Sequence, residues 1–238
     1  MEDFEQLLIL HTREFYKQQS ARWISMDTVS TYLAKAVHAL EMERALVNER
    51  LHPLSTKFKL ISACEDMILR GPDRKHLQFI LSSDKGVGHM LQGDLFDDLR
   101  NMHSVLSNIN EQQPMADAMR DHIIKLGYEI LQKRATQVEE LFTDNKGKKV
   151  DEFKTSPQFI NALLDLHRKY TALIDKEFNK DELFDKALVQ AYQTIMKTEP
   201  SDKITIKLTN EKGEFHVSGI LEYMYACEGI VLVTLADY

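Results

Sequence analysis

Proline inside a helix removes a hydrogen bond and clashes with the preceding turn, at a cost of about 3 kcal/mol. This 238-residue chain has five prolines, Pro53, Pro72, Pro114, Pro157 and Pro200, and each falls between stretches of helical periodicity. Five prolines and nine glycines are too few to turn the many corners of an all-β sandwich or barrel. The chain is therefore expected to be mainly α, cut into helices where the prolines stand.

Apolar residues at 3–4 spacing fill the intervals. The first helix is expected over about 2–20, with Phe4, Leu7, Leu8, His11 and Phe15 on one face. A second runs from near Asp27 to His52-Pro53, and a third over about 55–69, with Phe58, Ile61, Cys64, Glu65 and Ile68 in register, stopping at Gly71-Pro72. Shorter segments follow at 74–82 and 91–109, the latter presenting Leu95, Leu99, Met102, Val105, Leu106 and Ile109. A long helix then extends from Pro114 to about Phe142, with Gly127 as a candidate kink. Ser156 before Pro157 is a strong helix start. Asn179, with Glu182 three residues on, reads as a capping box for the last helix, whose apolar face runs from Leu183 to Ile195.

After Pro200 the period changes from 3.6 to 2. Ile204, Ile206 and Leu208 alternate with Thr205, Lys207 and Thr209, then comes the turn-prone Asn210-Glu211-Lys212-Gly213, then Phe215 and Val217. This predicts a short C-terminal β-hairpin appended to a helical body. Three divisions are expected: 1–112, 113–199 and an appended 200–238.

A net charge of −7 gives no general field for nucleic acid. Two cysteines, Cys64 and Cys227, make neither a disulfide framework nor a zinc site and suit a reducing compartment. The opening Met1-Glu2-Asp3-Phe4-Glu5-Gln6 matches neither a secretory signal nor a mitochondrial presequence, and no apolar run approaches the roughly 20 residues that span a bilayer. The expected place is cytoplasm or nucleus, with no membrane and no nucleic acid as partner.

No catalytic constellation emerges. Glu49-Arg50-Leu51-His52 is a lone E-x-x-H, whereas di-iron bundles need two such pairs and further carboxylates. His11, His38, His103, His122 and His167 fall on different helices without H-x-x-x-H spacing. Gly86-Val87-Gly88 lacks the rest of a phosphate loop. Cys64, on an apolar face, reads as a buried thiol without an activating base. Lys133, Arg134, Lys146, Lys148 and Lys149 are the one basic cluster, with no aromatic residues interleaved, and read as a solvated loop flank. Neither an enzyme nor a cofactor or metal site is expected.

Two blocks carry more than helicity. Asp165-Leu166-His167-Arg168-Lys169-Tyr170, then Leu173, Phe178-Asn179, Asp181, Phe184 and Ala187-Leu188 resemble the D-x-H-x-K-Y-x-x-L and F-N-x-D-x-x-F-x-x-A-L pattern of cullin N-terminal regions. Upstream, Phe4, Thr12, Phe15-Tyr16, Ser20, Val29, Tyr32, Lys35-Ala36, Leu51-His52, Ser55-Thr56, Leu60 and Cys64-Glu65 agree in order, with one extra residue between His52 and Ser55. The chain is thereby similar, over about residues 3–196, to the cullin family, and to the cullin of Skp1–F-box ligases most of all.

The resemblance implies an elongated stack of helical bundles, a cullin-repeat solenoid corresponding to the second repeat and much of the third. It implies a non-enzymatic scaffold in ubiquitin-dependent protein degradation, spacing a substrate receptor from a catalytic module, with protein partners among cullin-RING ligase components. The family's adaptor-binding first repeat and RING-binding C-terminal region have no counterpart here, and residues 201–238 are unmatched. A face left without its neighbouring repeat invites association, including self-association, and Phe4, Leu7, Leu8 and Phe15 are its candidate residues. Two other readings are a truncated fragment competing in ligase assembly and a vesicle-tethering helical rod of the exocyst type.

Overall fold

A computed structural model describes residues 2–50, 54–82, 85–144, 156–197, 205–210 and 213–218. The helices are α1 (Glu2–Met26), α2 (Val29–Arg50), α3 (Leu54–Glu65), α4 (Lys75–Ile80), α5 (Val87–Gln92), α6 (Phe96–Asn108), α7 (Gln113–Asp144), α8 (Ser156–Glu177) and α9 (Glu182–Lys197). A π-helical turn (Asp66–Arg70) and a 3-10 turn (Pro72–Arg74) join α3 to α4. Two strands, β1 (Thr205–Asn210) and β2 (Gly213–Ser218), pair antiparallel, with Thr205 opposite Ser218 and Leu208 opposite Phe215.

The chain packs as two units, Met1–Met119 with Lys176–Asn179, and Arg120–Asp175 with Lys180–Tyr238. In the first, α1 lies against α3 and the π-helical turn, and α2 against α3 and α6. Its core is built from Tyr32, Leu33, Leu40, Ile68, Ile80 and Leu99, all under 2% exposed. In the second, Ile123, Leu163, Tyr170, Ile174, Phe184 and Ile195 form the equivalent interior.

Local chemistry explains where the elements begin and end. Thr28 caps α2, its hydroxyl accepting the Thr31 N–H at 3.3 Å. The expected helix over 91–109 is two helices, because Leu95 and the positive φ of Asp94 (53°) break it between α5 and α6. The capping of α9 also differs from expectation. Asn179 and Lys180 both sit in left-handed backbone (φ 52° and 57°), and the side chain that caps is Asp181, which accepts the Leu183 N–H at 3.0 Å. The sequence offered three polar residues in a row, and only the chain's path into α9 selected among them.

The expected faces of α1 and α3 are corrected as well. Phe58 is 74% exposed and Ile61 half-buried; Cys64 and Ile68 are buried as expected, joined by Leu60 and Ala63. On α1 the buried residues are Tyr16 and Ser20, while Phe4, Leu7 and Phe15 face outward. Hydrophobic spacing found the helices but not which of two rival faces would be covered.

Gly127 is no break: α7 continues through it. A Cβ at this position would overlap the Ile195 side chain, whose Cγ1 would lie only 2.7 Å away. The glycine therefore allows α9 to approach α7. Gly127→Ala is expected to lose about 1 kcal/mol, as overpacking (about 1–3 kcal/mol) exceeds the gain of about 1 kcal/mol in helix propensity. Adding Ile195→Val should recover part of that loss, so the double variant is less destabilised than the sum of the singles by at least about 0.5 kcal/mol in urea denaturation.

Candidate functional site

One face of α1 is fastened and the other is bare. The Tyr16 hydroxyl donates to Glu43 Oε1 of α2 at 2.7 Å, and Ser20 Oγ donates to the Met67 carbonyl at 3.2 Å. Nearer the start of the helix, Glu5 accepts from Lys59 Nζ at 2.6 Å and Thr56 Oγ1 at 3.0 Å, both on α3. Lys59, and then Thr56, hold the Glu5 carboxyl below the usual carboxylate range.

At 100° per residue, Phe4, Leu8, His11 and Phe15 form a stripe turned well away from Tyr16 and Ser20. Phe4 is 68% exposed, Leu7 55% and Phe15 54%, while Leu8 is half-buried. Leu10, 62% exposed, extends this apolar surface. The four residues singled out in the sequence thus lie on one helix, three of them largely in water. Large contiguous apolar surface on a soluble domain marks a place where something else packs.

A second apolar feature lies between α2 and α3. This groove of about 530 Å³ has Val47, Phe58 and Ile61 along its walls and an ion pair, Arg44 Nη2 to Glu65 Oε1 at 2.9 Å, at its edge. Burial raises the Glu65 carboxyl above its ordinary range, against the opposing pull of Arg44. Spacing alone had placed Phe58 in the core, which concealed this groove.

Cys64 is fully buried, and burial, reinforced by the Glu43 and Glu65 charges, pushes its thiol up to about 12. His103 stacks on Phe178 with ring centres 5.0 Å apart, His122 meets Tyr170 edge-on, His167 meets Tyr192 edge-on, and His11 and His38 are exposed. Among the described residues no group of three or more His, Cys, Asp or Glu is placed to hold a metal, and no helix is long and apolar enough to cross a membrane. His52 of the E-x-x-H, and Lys146, Lys148 and Lys149 of the basic cluster, lie outside the described residues.

The D-x-H-x-K-Y block explains itself physically. Tyr170, Leu173, Phe178, Phe184, Ala187 and Leu188 are buried, so its apolar positions are core. Asp165 and Arg168 are exposed and pair at 3.2 Å, and half-buried Lys169 has its Nζ 5.8 Å from the Tyr170 ring centre. Tyr192 anchors the same region by donating to the Leu163 carbonyl at 2.7 Å.

With this geometry in view, comparison with known proteins is informative. The family model of the cullin alpha solenoid domain matches residues 1–214. Cullin-2 of Arabidopsis thaliana is 28% identical over 193 residues, covering 81% of this chain and 25% of its own length. Cullin-1 of Dictyostelium discoideum is 28% identical over 189 residues (79% of this chain, 22% of its own). Cullin-3 of the same organism is 26% identical over 227 residues, covering 93% of this chain and 26% of its own length. The chain therefore spans about a quarter of the length of these relatives. Both the family match and the last alignment extend past residue 200, into the segment that the motifs alone leave unmatched.

A thiol raised to about 12 is ionised at roughly one part in ten thousand at pH 8. In a Cys227→Ser chain, Cys64 is expected to react with iodoacetamide at pH 8 at least about 100-fold more slowly than in urea, and at a rate set by unfolding; fast native labelling would contradict the burial described above.

Proposed function

The chain belongs to the cullin family, and from that membership we propose that it is a non-catalytic interaction segment of a ubiquitin-ligase scaffold, holding a substrate receptor apart from a catalytic module. The observation that carries this reading is the family match across residues 1–214, reinforced by the burial of the apolar positions of the D-x-H-x-K-Y block. A solenoid repeat is a suitable spacer because each unit buries its apolar faces locally, and separation then follows from stacking rather than from any reactive group. On this reading residues 1–112 form one cullin repeat, 113–199 part of the next, and 200–238 an appended hairpin segment. Its partners are cullin-RING ligase components, and its place is the cytoplasm or nucleus.

The test is a transplant. Residues 1–199 replace the corresponding second and third repeats of a cullin in a reconstituted ligase, and substrate ubiquitylation is followed. Activity within several-fold of the parent is expected. Loss of activity by a chimera that still binds its adaptor and RING protein would sink the spacer reading.

The exposed side chains of α1 favour a second reading, in which the free chain associates through Phe4, Leu7, Leu8 and Phe15, with another copy or as a competitor in ligase assembly. Phe4→Ser with Phe15→Ser is expected to change folding stability by no more than about 0.5 kcal/mol, because both side chains are largely exposed already. The same variant should shift sedimentation toward monomer and reduce inhibition when the chain is added in trans to the ligase. Identical sedimentation and inhibition for variant and parent would remove this reading.

A further inference from the structure

The Tyr16 hydroxyl donates to Glu43 at 2.7 Å, and the Trp23 and Tyr32 rings meet edge-on with centres 6.2 Å apart, so α1 and α2 run antiparallel with these pairs along their seam. Phe15 and Met42 each precede a seam residue, Tyr16 and Glu43. A helix turns about 100° per residue, and on antiparallel right-handed helices that step carries both side chains to the same side of the seam. Arg44 stands about 200° round α2 from Met42 and pairs with Glu65 of α3 at 2.9 Å. The side that Phe15 and Met42 share is therefore the one away from α3.

On that side the two helices make one apolar strip. Phe4, Leu8 and Phe15 fall within about 40° of one another on α1, and Leu46 lies one turn beyond Met42 on α2. Phe4 is 68% exposed, Phe15 54%, Met42 59% and Leu46 49%, and Leu7 widens the strip on α1. Its line of positions, Phe4, Leu8, His11 and Phe15 with Met42 and Leu46, holds no carboxylate, lysine or arginine.

We propose that this strip is the contact face of a symmetric dimer, in which a twofold axis lays the α1–α2 pair of one copy across that of the other to form a four-helix layer. The inference rests on the association reading given above and supplies its geometry: a closed pair in which α2 takes part as fully as α1. Area is the first reason for a second copy. The strip exposes on the order of 600 Å² of apolar surface, more than the largest patch on most monomers, and a stable interface buries about 800 Å² on each partner with its polar rim included. Two strips face to face supply most of what a dimer needs. Self-complementarity is the second reason. Among the described residues, the other large exposed apolar side chains, Leu10, Met26, Phe58, Leu95, Phe96 and Tyr128, are scattered over the rest of α1, α3, the start of α6 and α7, at most two together. A head-to-tail contact needs a second face of similar size, whereas a twofold contact needs only this one, and a strip without charge meets its own copy without like-charge repulsion.

Sedimentation equilibrium of the full chain under reducing conditions, from about 2 to about 200 µM, tests the dimer. The mass is expected to rise from one copy to a plateau at two. Met42→Glu with Leu46→Glu should raise the concentration of half-dimerisation at least about tenfold and leave the urea midpoint of folding in place, because both side chains already lie in water. A chain that stays monomeric throughout overturns this dimer together with association between copies. Association that Phe4→Ser with Phe15→Ser weakens, and Met42→Glu with Leu46→Glu does not, overturns the two-helix face and leaves the α1 reading standing. Mass that grows past two copies overturns the closed pair in the same way.

Discussion

The Ile68 carbonyl is the point on which the first unit turns. Helices normally satisfy such a group with an N–H four residues on, and Pro72 forbids it. An unserved buried carbonyl costs about 1–3 kcal/mol, so the fold must bring a donor from elsewhere. The Tyr32 hydroxyl does this from the centre of an aromatic group in which Trp23, His76 and Phe79 meet its ring edge-on at 5.9–6.2 Å. One backbone group thus ties α2 to both sides of the α3–α4 joint, and the neighbouring Met67 carbonyl ties in α1 through Ser20. Arg70 extends the same logic to the end of α6 by donating to Ile109 O.

This arrangement divides labour between the two sides of α1. Its polar residues Glu5, Tyr16 and Ser20 find partners on the covered side, and Phe4, Leu7, Leu10 and Phe15 are left outside. That inversion of the usual rule is costly for an isolated chain and reasonable for a module with a neighbour. In a solenoid, apolar faces of one helical unit are covered by the next, which is the kind of neighbour such a stripe would suit.

Much of the helical body was legible in the sequence. Pro72, Pro114 and Pro157 mark junctions that the structure keeps, α8 starts at Ser156, and Leu99, Met102, Val105 and Leu106 are buried as their spacing requires. The candidate surface was half legible: Phe4, Leu7, Leu8 and Phe15 were named, but the spacing that named them is the same spacing that marks a core face. Phe58 failed in the opposite direction, placed inside and found outside. His76 escaped notice altogether, since no periodicity or motif distinguishes a histidine that will serve a carbonyl in another turn.

The sequence by itself determined that this chain is helical, where most of its helices begin and end, and, through the order of its motifs, the family to which it belongs. These are local matters: proline lacks an N–H, caps and glycines act within a turn, and a gapless motif is read residue by residue. Tertiary structure decided which face of α1 and α3 is covered, why Gly127 is small, and what completes the hydrogen bonding of Met67 and Ile68. Each of those depends on a partner distant in the chain, such as Ile195 for Gly127 and Tyr32 for Ile68, and spacing along one helix carries no information about what another helix will bring against it.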